Sequence, residues 1–155
     1  MASRTLTAVA LLASLMAASG TSVRALPGLD ERTVTDPATG VALYGYDPVA
    51  YFVEKRAVRG LRDCEAEWNG VAWRFASEAN RAAFLSAPEV YAPRFGGYAP
   101  AAVANGAAAP GHPLIFAVRE ERLYLFRSPA ERDAFADPRA AEQAWPKLEA
   151  ELPRG

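Results

Sequence analysis

Apolar and polar positions change rhythm several times along the chain, and each change predicts an element. Glu65 to Phe75 reads EAEWNGVAWRF, with Asn69-Gly70 between short runs that carry Trp68 and Trp73. Asn-Gly in that setting predicts a hairpin, because a type I′ turn needs φ > 0 at both central residues. Ser77 then suits the cap of a helix over Glu78 to Leu85, which Pro88 ends, with one more turn at Glu89 to Tyr91. A second hairpin is predicted from Leu114 to Val118 and Arg122 to Phe126, around Arg119-Glu120-Glu121. Ser128-Pro129-Ala130-Glu131 is a full helix-start signature, and that helix ends by Pro138. Arg139 to Leu152 is amphipathic, and Pro146 inside it predicts a kink or a split.

Between the hairpins lies Arg94 to Gly106, RFGGYAPAAVANG. Its Gly96-Gly97 pair permits a tight, left-handed entry. The small residues Ala99 to Ala104 predict a short buried helix, and Asn105-Gly106 its end. This hub sits where two half-folds would meet. Upstream, Val41 to Gly45 predicts a short strand, Asp47-Pro48 a turn or one helical turn, and Ala57 to Arg59 a returning strand. Leu26 to Gly40, broken by Pro27-Gly28 and Asp36-Pro37, reads as an extended leader.

The two halves align. Trp73-Arg74-Phe75-Ala76-Ser77 matches Tyr124-Leu125-Phe126-Arg127-Ser128, and Phe84 falls on Phe135. Each half reads strand, turn, strand and Ser-capped helix with an inward Phe. The predicted class is α+β: a small antiparallel sheet from two hairpins, with helices packed on it and the hairpin–helix unit repeated.

Composition changes this picture at the start of the chain. Arg4 is followed by the apolar run Leu6 to Ala18 and by a small-residue cleavage site at Val23-Arg24-Ala25. That is a secretory signal, too short for a bilayer span. The expected organisation is a signal peptide over 1–25, a leader over 26–40 and one domain over 41–152, in the periplasm or secreted, with no stable membrane anchor after cleavage. Losing Arg4 and Arg24 takes the formal charge from −1 to about −3. With no basic block, nucleic acid is excluded as a partner. Both methionines lie in the signal, so the mature chain has Cys64 and His112 as its only thiol and imidazole. One copy cannot build a closed zinc site of four Cys and His ligands.

Several stretches together resemble the YHS-domain family. These are Gly45-Tyr46-Asp47-Pro48-Val49-Ala50-Tyr51-Phe52, Trp68-Asn69-Gly70, Trp73-Arg74-Phe75-Ala76-Ser77, Asn80-Arg81 with Phe84, Tyr91-Ala92-Pro93 and Gly96-Gly97-Tyr98. The resemblance runs from about Tyr44 to about Trp145. It implies a small α+β domain with an accessory role in the homeostasis of copper or another transition metal. Many members place a Cys directly after Gly-Gly-Tyr, where this chain has Ala99. A methyl group cannot replace a thiolate donor. A bound transition metal ion would then use Cys64, His112 or Asp47, or a site shared between two copies. The alternative is a degenerate member kept as a small-ligand or protein-interaction module, with its pocket around Tyr46, Asp47, Tyr51 and Tyr98.

Each candidate has a structural reading beside the functional one. Asp47 before Pro48 is a ligand or a helix cap. Cys64 is a displaced ligand, a redox thiol, a homodimer link or a buried structural residue. His112, in a Pro-Gly-His-Pro stretch, is the only neutral-pH base, or simply a solvent-exposed loop residue. The aromatics Tyr46, Tyr51, Trp68, Trp73, Tyr91 and Tyr98 line a pocket or fill a core. No phosphate loop, dinucleotide fingerprint, HExxH, CxxC or GxSxG occurs, so the chain is not read as an enzyme.

Overall fold

The structure, a computed structural model, describes residues 31–154; the expected signal over 1–25 lies outside them. In chain order the elements are α1 (Ala50–Val53), β1 (Glu65–Trp68), β2 (Val71–Arg74), α2 (Glu78–Ser86), α3 (Pro88–Tyr91), α4 (Pro100–Ala104), β3 (His112–Arg119), β4 (Arg122–Phe126), α5 (Pro129–Ala134) and α6 (Arg139–Glu151). The class is α+β, with the strands in two antiparallel two-stranded sheets, β1–β2 and β3–β4.

Asn69-Gly70 turns as its residue types dictate, with φ of 52° and 74°. Glu120-Glu121 makes the same left-handed turn with φ of 49° and 56°, at two side chains that each resist it. The repeat extends beyond the turns. Ser77 Oγ accepts from Asn80 N at 3.2 Å, and Ser128 Oγ accepts from Glu131 N at 3.1 Å. Phe75 and Phe84 have ring centroids 5.2 Å apart, as do Phe126 and Phe135. Trp73–Phe84 at 5.0 Å recurs as Tyr124–Phe135 at 4.9 Å. The ring of Trp68 lies 5.7 Å from that of Phe84, and the equivalent Arg119 holds its guanidinium 5.3 Å from the Phe135 ring.

β4 is the wall between the two halves. A strand sends alternate side chains to opposite faces. Leu123 and Leu125 enter one core with Leu43, Val49, Tyr51, Trp73, Phe75 and Phe84. Tyr124 and Phe126 enter the other with Val34, Phe95, Tyr98, Val103 and Leu148. A strand buried on both faces needs a continuous apolar run, which LYLF supplies.

The hub closes the second core. Arg94–Gly97 forms a 3-10 turn with Phe95, Gly96 and Gly97 at φ of 56°, 60° and 94°. Gly96 is required twice over, since a Cβ there would also run into the Arg32 carbonyl. Gly97 O accepts from Gly111 N at 2.9 Å, which ties the hub to the entry of β3.

One expectation is corrected, and two further segments are seen in more detail. Val41 to Gly45 is no strand. Val41 and Ala42 make single bridges to Ala72 and Thr35, and Leu43–Gly45 is a 3-10 turn whose Leu43 N donates to Val34 O at 2.9 Å. The segment's backbone bonds are divided between the leader and β2, where Ala42 N donates to Ala72 O at 2.9 Å, so neither side builds a ladder. The leader itself is packed over residues 31–40. Val34 is buried, its N donates to Gly96 O at 2.7 Å, and Asp36 Oδ1 takes the N–H groups of Ala38 and Thr39 in an Asx turn. Finally, α6 is not split at Pro146 but continues through it. Pro146 is exposed, so water can serve the Glu142 carbonyl that lacks its usual N–H.

Candidate functional site

Asp47 is fully buried, and its carboxylate is committed inside the protein. Oδ1 accepts from Val49 N at 2.8 Å and Ala50 N at 3.4 Å, capping α1. Oδ2 accepts from Ala76 N at 2.8 Å and from Asn80 Nδ2 at 2.6 Å. The residue is a cap and also a staple to the start of α2. Charge-assisted bonds of this kind satisfy a buried carboxylate.

Cys64 is buried in the first core, and its Sγ donates to Glu78 Oε1 at 3.3 Å. Burial, and then that bond, push the thiol above its usual range. Such a thiol is protonated at neutral pH and is a poor nucleophile. The bond from Cys64, followed by Arg81, holds Glu78 below the usual carboxylate range. His112 is exposed at the start of β3, opposite Phe126, and its Nδ1 accepts from Leu114 N at 3.2 Å. Among the described residues no group of three or more His, Cys, Asp and Glu is placed to hold a metal ion.

Of the four residues expected around one pocket, Tyr46, Asp47 and Tyr51 lie near one another, and Tyr98 packs in the other core. Tyr46 is half-buried, with the Arg59 guanidinium 4.6 Å from its ring centroid. Tyr51 is buried and donates to Pro113 O at 2.9 Å, with Phe116 edge-on at 4.7 Å. Burial, and then the nearby Tyr46 and Asp47, push its phenol well above the usual range. Tyr98 belongs to the second core and donates to Glu31 O at 2.6 Å. Tyr46 and Tyr51 pack with the first core and Tyr98 with the second, because the hub and the Asp47 loop meet different faces of β4.

A cleft of about 210 Å³ opens elsewhere, where the two halves meet. Trp68, Asn69 and Trp73 of the first hairpin, Phe95 and Gly96 of the hub, and Trp145 of α6 line it, with Arg32, Arg94, Glu89 and Glu149. All three tryptophans of the chain are in this one lining. Trp73 and Phe95 are buried and form its walls; Trp68 and Trp145 are half-buried and present open ring surface. Trp73 Nε1 is already used, donating to Trp68 O at 3.2 Å. Phe95 and Tyr98 brace Trp145, at 5.9 Å and 6.2 Å between centroids.

Arg94 is the uncommon group in this lining. Its Nη2 reaches Glu142 Oε1 at 3.4 Å, while its Nε is buried with no hydrogen-bond partner among the described residues. An unmet buried donor costs about 1–3 kcal/mol, so such groups are rare without a role.

Trp68 and Trp73 were legible in the sequence as pocket candidates. Arg32, Arg94, Phe95 and Trp145 were not, since they come from four separate stretches of chain that meet only in three dimensions. The signal available was Trp145 itself, a bulky aromatic on an otherwise Ala- and Glu-rich helix. Among the described residues no helix is long and apolar enough to cross a membrane. Compared with family models, with curated proteins and with solved structures, the chain gave no match in any of the three.

Proposed function

We propose that the chain is an exported, non-catalytic YHS-type module that binds a small organic ligand in the cleft between its halves. The observation that carries this reading is the convergence of all three tryptophans and Arg94 on one cleft. Small-ligand sites combine aromatic lining with a few placed polar groups. At about 210 Å³ the cleft lies below the roughly 300–1,000 Å³ typical of drug-sized ligands, which limits the occupant to something near one ring with a substituent.

A role in metal homeostasis, implied by the family resemblance, has less support from the donor set. Asp47 has its oxygens engaged by four N–H donors, Cys64 is a buried protonated thiol, and among the described residues no three His, Cys, Asp or Glu side chains are grouped to hold a metal ion. A metal role would have to recruit donors from a second copy or a protein partner.

The test is a thermal-shift screen of small aromatic compounds against the protein purified from an exporting host. Ligands that bind only the native state raise its melting temperature. Hits are expected with wild type and lost in Trp145→Ala. A screen in which no compound shifts the protein, while one cation does, contradicts the reading.

A further inference from the structure

We propose that the cleft selects a small aromatic cation, an ammonium carried on one ring, with Glu89 and Glu149 as the carboxylates that recognise its charge. This rests on the cleft being the ligand site. Four charged side chains line it: Arg32, Arg94, Glu89 and Glu149. Both arginines are engaged. Arg94 Nη2 reaches Glu142, outside the lining, and its guanidinium stands 5.6 Å from the centroid of the Phe95 ring. Arg32 has a partner as well. The carboxylates of Glu89 and Glu149 make no hydrogen bond or ion pair among the described residues. They are also within reach. Glu89 is exposed, Glu149 is half-buried, and neither holds an oxygen that is both buried and unpartnered. The cleft therefore presents two open carboxylates beside its tryptophans.

An ammonium answers this lining twice. It is drawn to the carboxylates by charge, and to the half-buried rings of Trp68 and Trp145 by the negative face of each indole. Tryptophan is the strongest of the aromatic faces for a cation. Trp73 and Phe95 close the walls, and flat surfaces of this kind favour a ring in stacked or edge contact, so the ammonium is carried on an aromatic body. A cleft of about 210 Å³ has room for one ring and a short arm. A carboxylate ligand would meet like charge at Glu89 and Glu149.

The experiment titrates the purified protein at neutral pH with 2-phenylethylamine, its neutral analogue 2-phenylethanol, and phenylacetate. The readout is intrinsic fluorescence, to which every tryptophan in the chain contributes from the cleft lining. 2-Phenylethylamine is expected to bind at least about fivefold more tightly than 2-phenylethanol, with phenylacetate the weakest. That preference should vanish in the double variant Glu89→Gln/Glu149→Gln, which keeps the shape and loses the charge. It should persist in Glu151→Gln, on the same helix but outside the lining. Equal binding of the three probes, or tightest binding of phenylacetate, overturns the cation assignment and leaves the cleft as a ligand site. A preference that survives in the double variant overturns the role of the two carboxylates. No response to any probe overturns the assignment, and joined to an empty thermal-shift screen it also overturns the ligand site. Should the double variant fail to fold by circular dichroism, the preference of wild type for 2-phenylethylamine over 2-phenylethanol decides alone.

Discussion

Asn80 donates its side-chain amide to Asp47 Oδ2 at 2.6 Å, so the first turn of α2 is held by a carboxylate from 33 residues earlier in the chain. The same carboxylate caps α1 through Val49 N. Asp47→Ala strands buried N–H donors at both places, and a loss of about 3 kcal/mol follows. Asp47→Asn keeps one acceptor oxygen and should lose roughly half as much. Urea denaturation of the two variants checks this. A loss below about 1 kcal/mol for Asp47→Ala would show that the staple is not structural.

Phe84 and Phe135 occupy equivalent places in the two hairpin–helix units, yet Phe84 is fully buried and Phe135 only half-buried. Phe84→Ala should cost about 3–5 kcal/mol, the range for a buried Phe, and Phe135→Ala roughly half that. Equal losses would mean that the second unit is covered in solution by something further.

The turn at Glu120-Glu121 holds two L-residues at φ of 49° and 56°, where the first hairpin uses Asn-Gly. Replacing the pair with Asn-Gly should raise stability by about 1 kcal/mol, since Gly takes positive φ without a Cβ clash. A rise in the melting temperature checks it; a fall would point to a role for these carboxylates in the folded state.

Much of the fold was legible because its signals are local. Asn69-Gly70, Ser77 and Ser128 each act on neighbours within a few residues, and all three behave as their chemistry predicts. The repeat was legible because the same aromatic spacing recurs in sequence. The segment from Val41 to Gly45 was misread because its backbone partners are distant ones, Val34 and Ala72. The separation of Tyr98 from Tyr46 and Tyr51 was hard to read for a related reason. Tyr46 and Tyr98 sit in family-like motifs, but which side of β4 each reaches is set by the turns before them, where Leu43, Tyr44 and Phe95 all take positive φ without being glycine. That conformation has no sequence signature in such residues.

Cys64 sets an alkaline limit. Its thiol is pushed up in the folded state, by burial first and by the Glu78 bond second, from an ordinary value of 9.0. A raised value means that the folded state holds the proton more tightly. The contribution is complete below about pH 9 and is lost as pH rises through the folded value. Stability should fall above pH 9, and Cys64→Ala should flatten part of that fall. Iodoacetamide should label Cys64 at least tenfold more slowly in native than in urea-unfolded protein, because only an exposed thiolate reacts. Equal labelling rates would contradict the buried thiol.

The most direct test of a cleft-based binding function is an amide and indole chemical-shift map during titration with the small aromatic compound that shifts the melting temperature most. The perturbed signals should gather at Thr33, Asn69, Arg94, Gly96 and the indoles of Trp68 and Trp145, which line the cleft. Perturbations centred instead on Cys64, His112 or Tyr51, or none at all up to millimolar ligand, would contradict it.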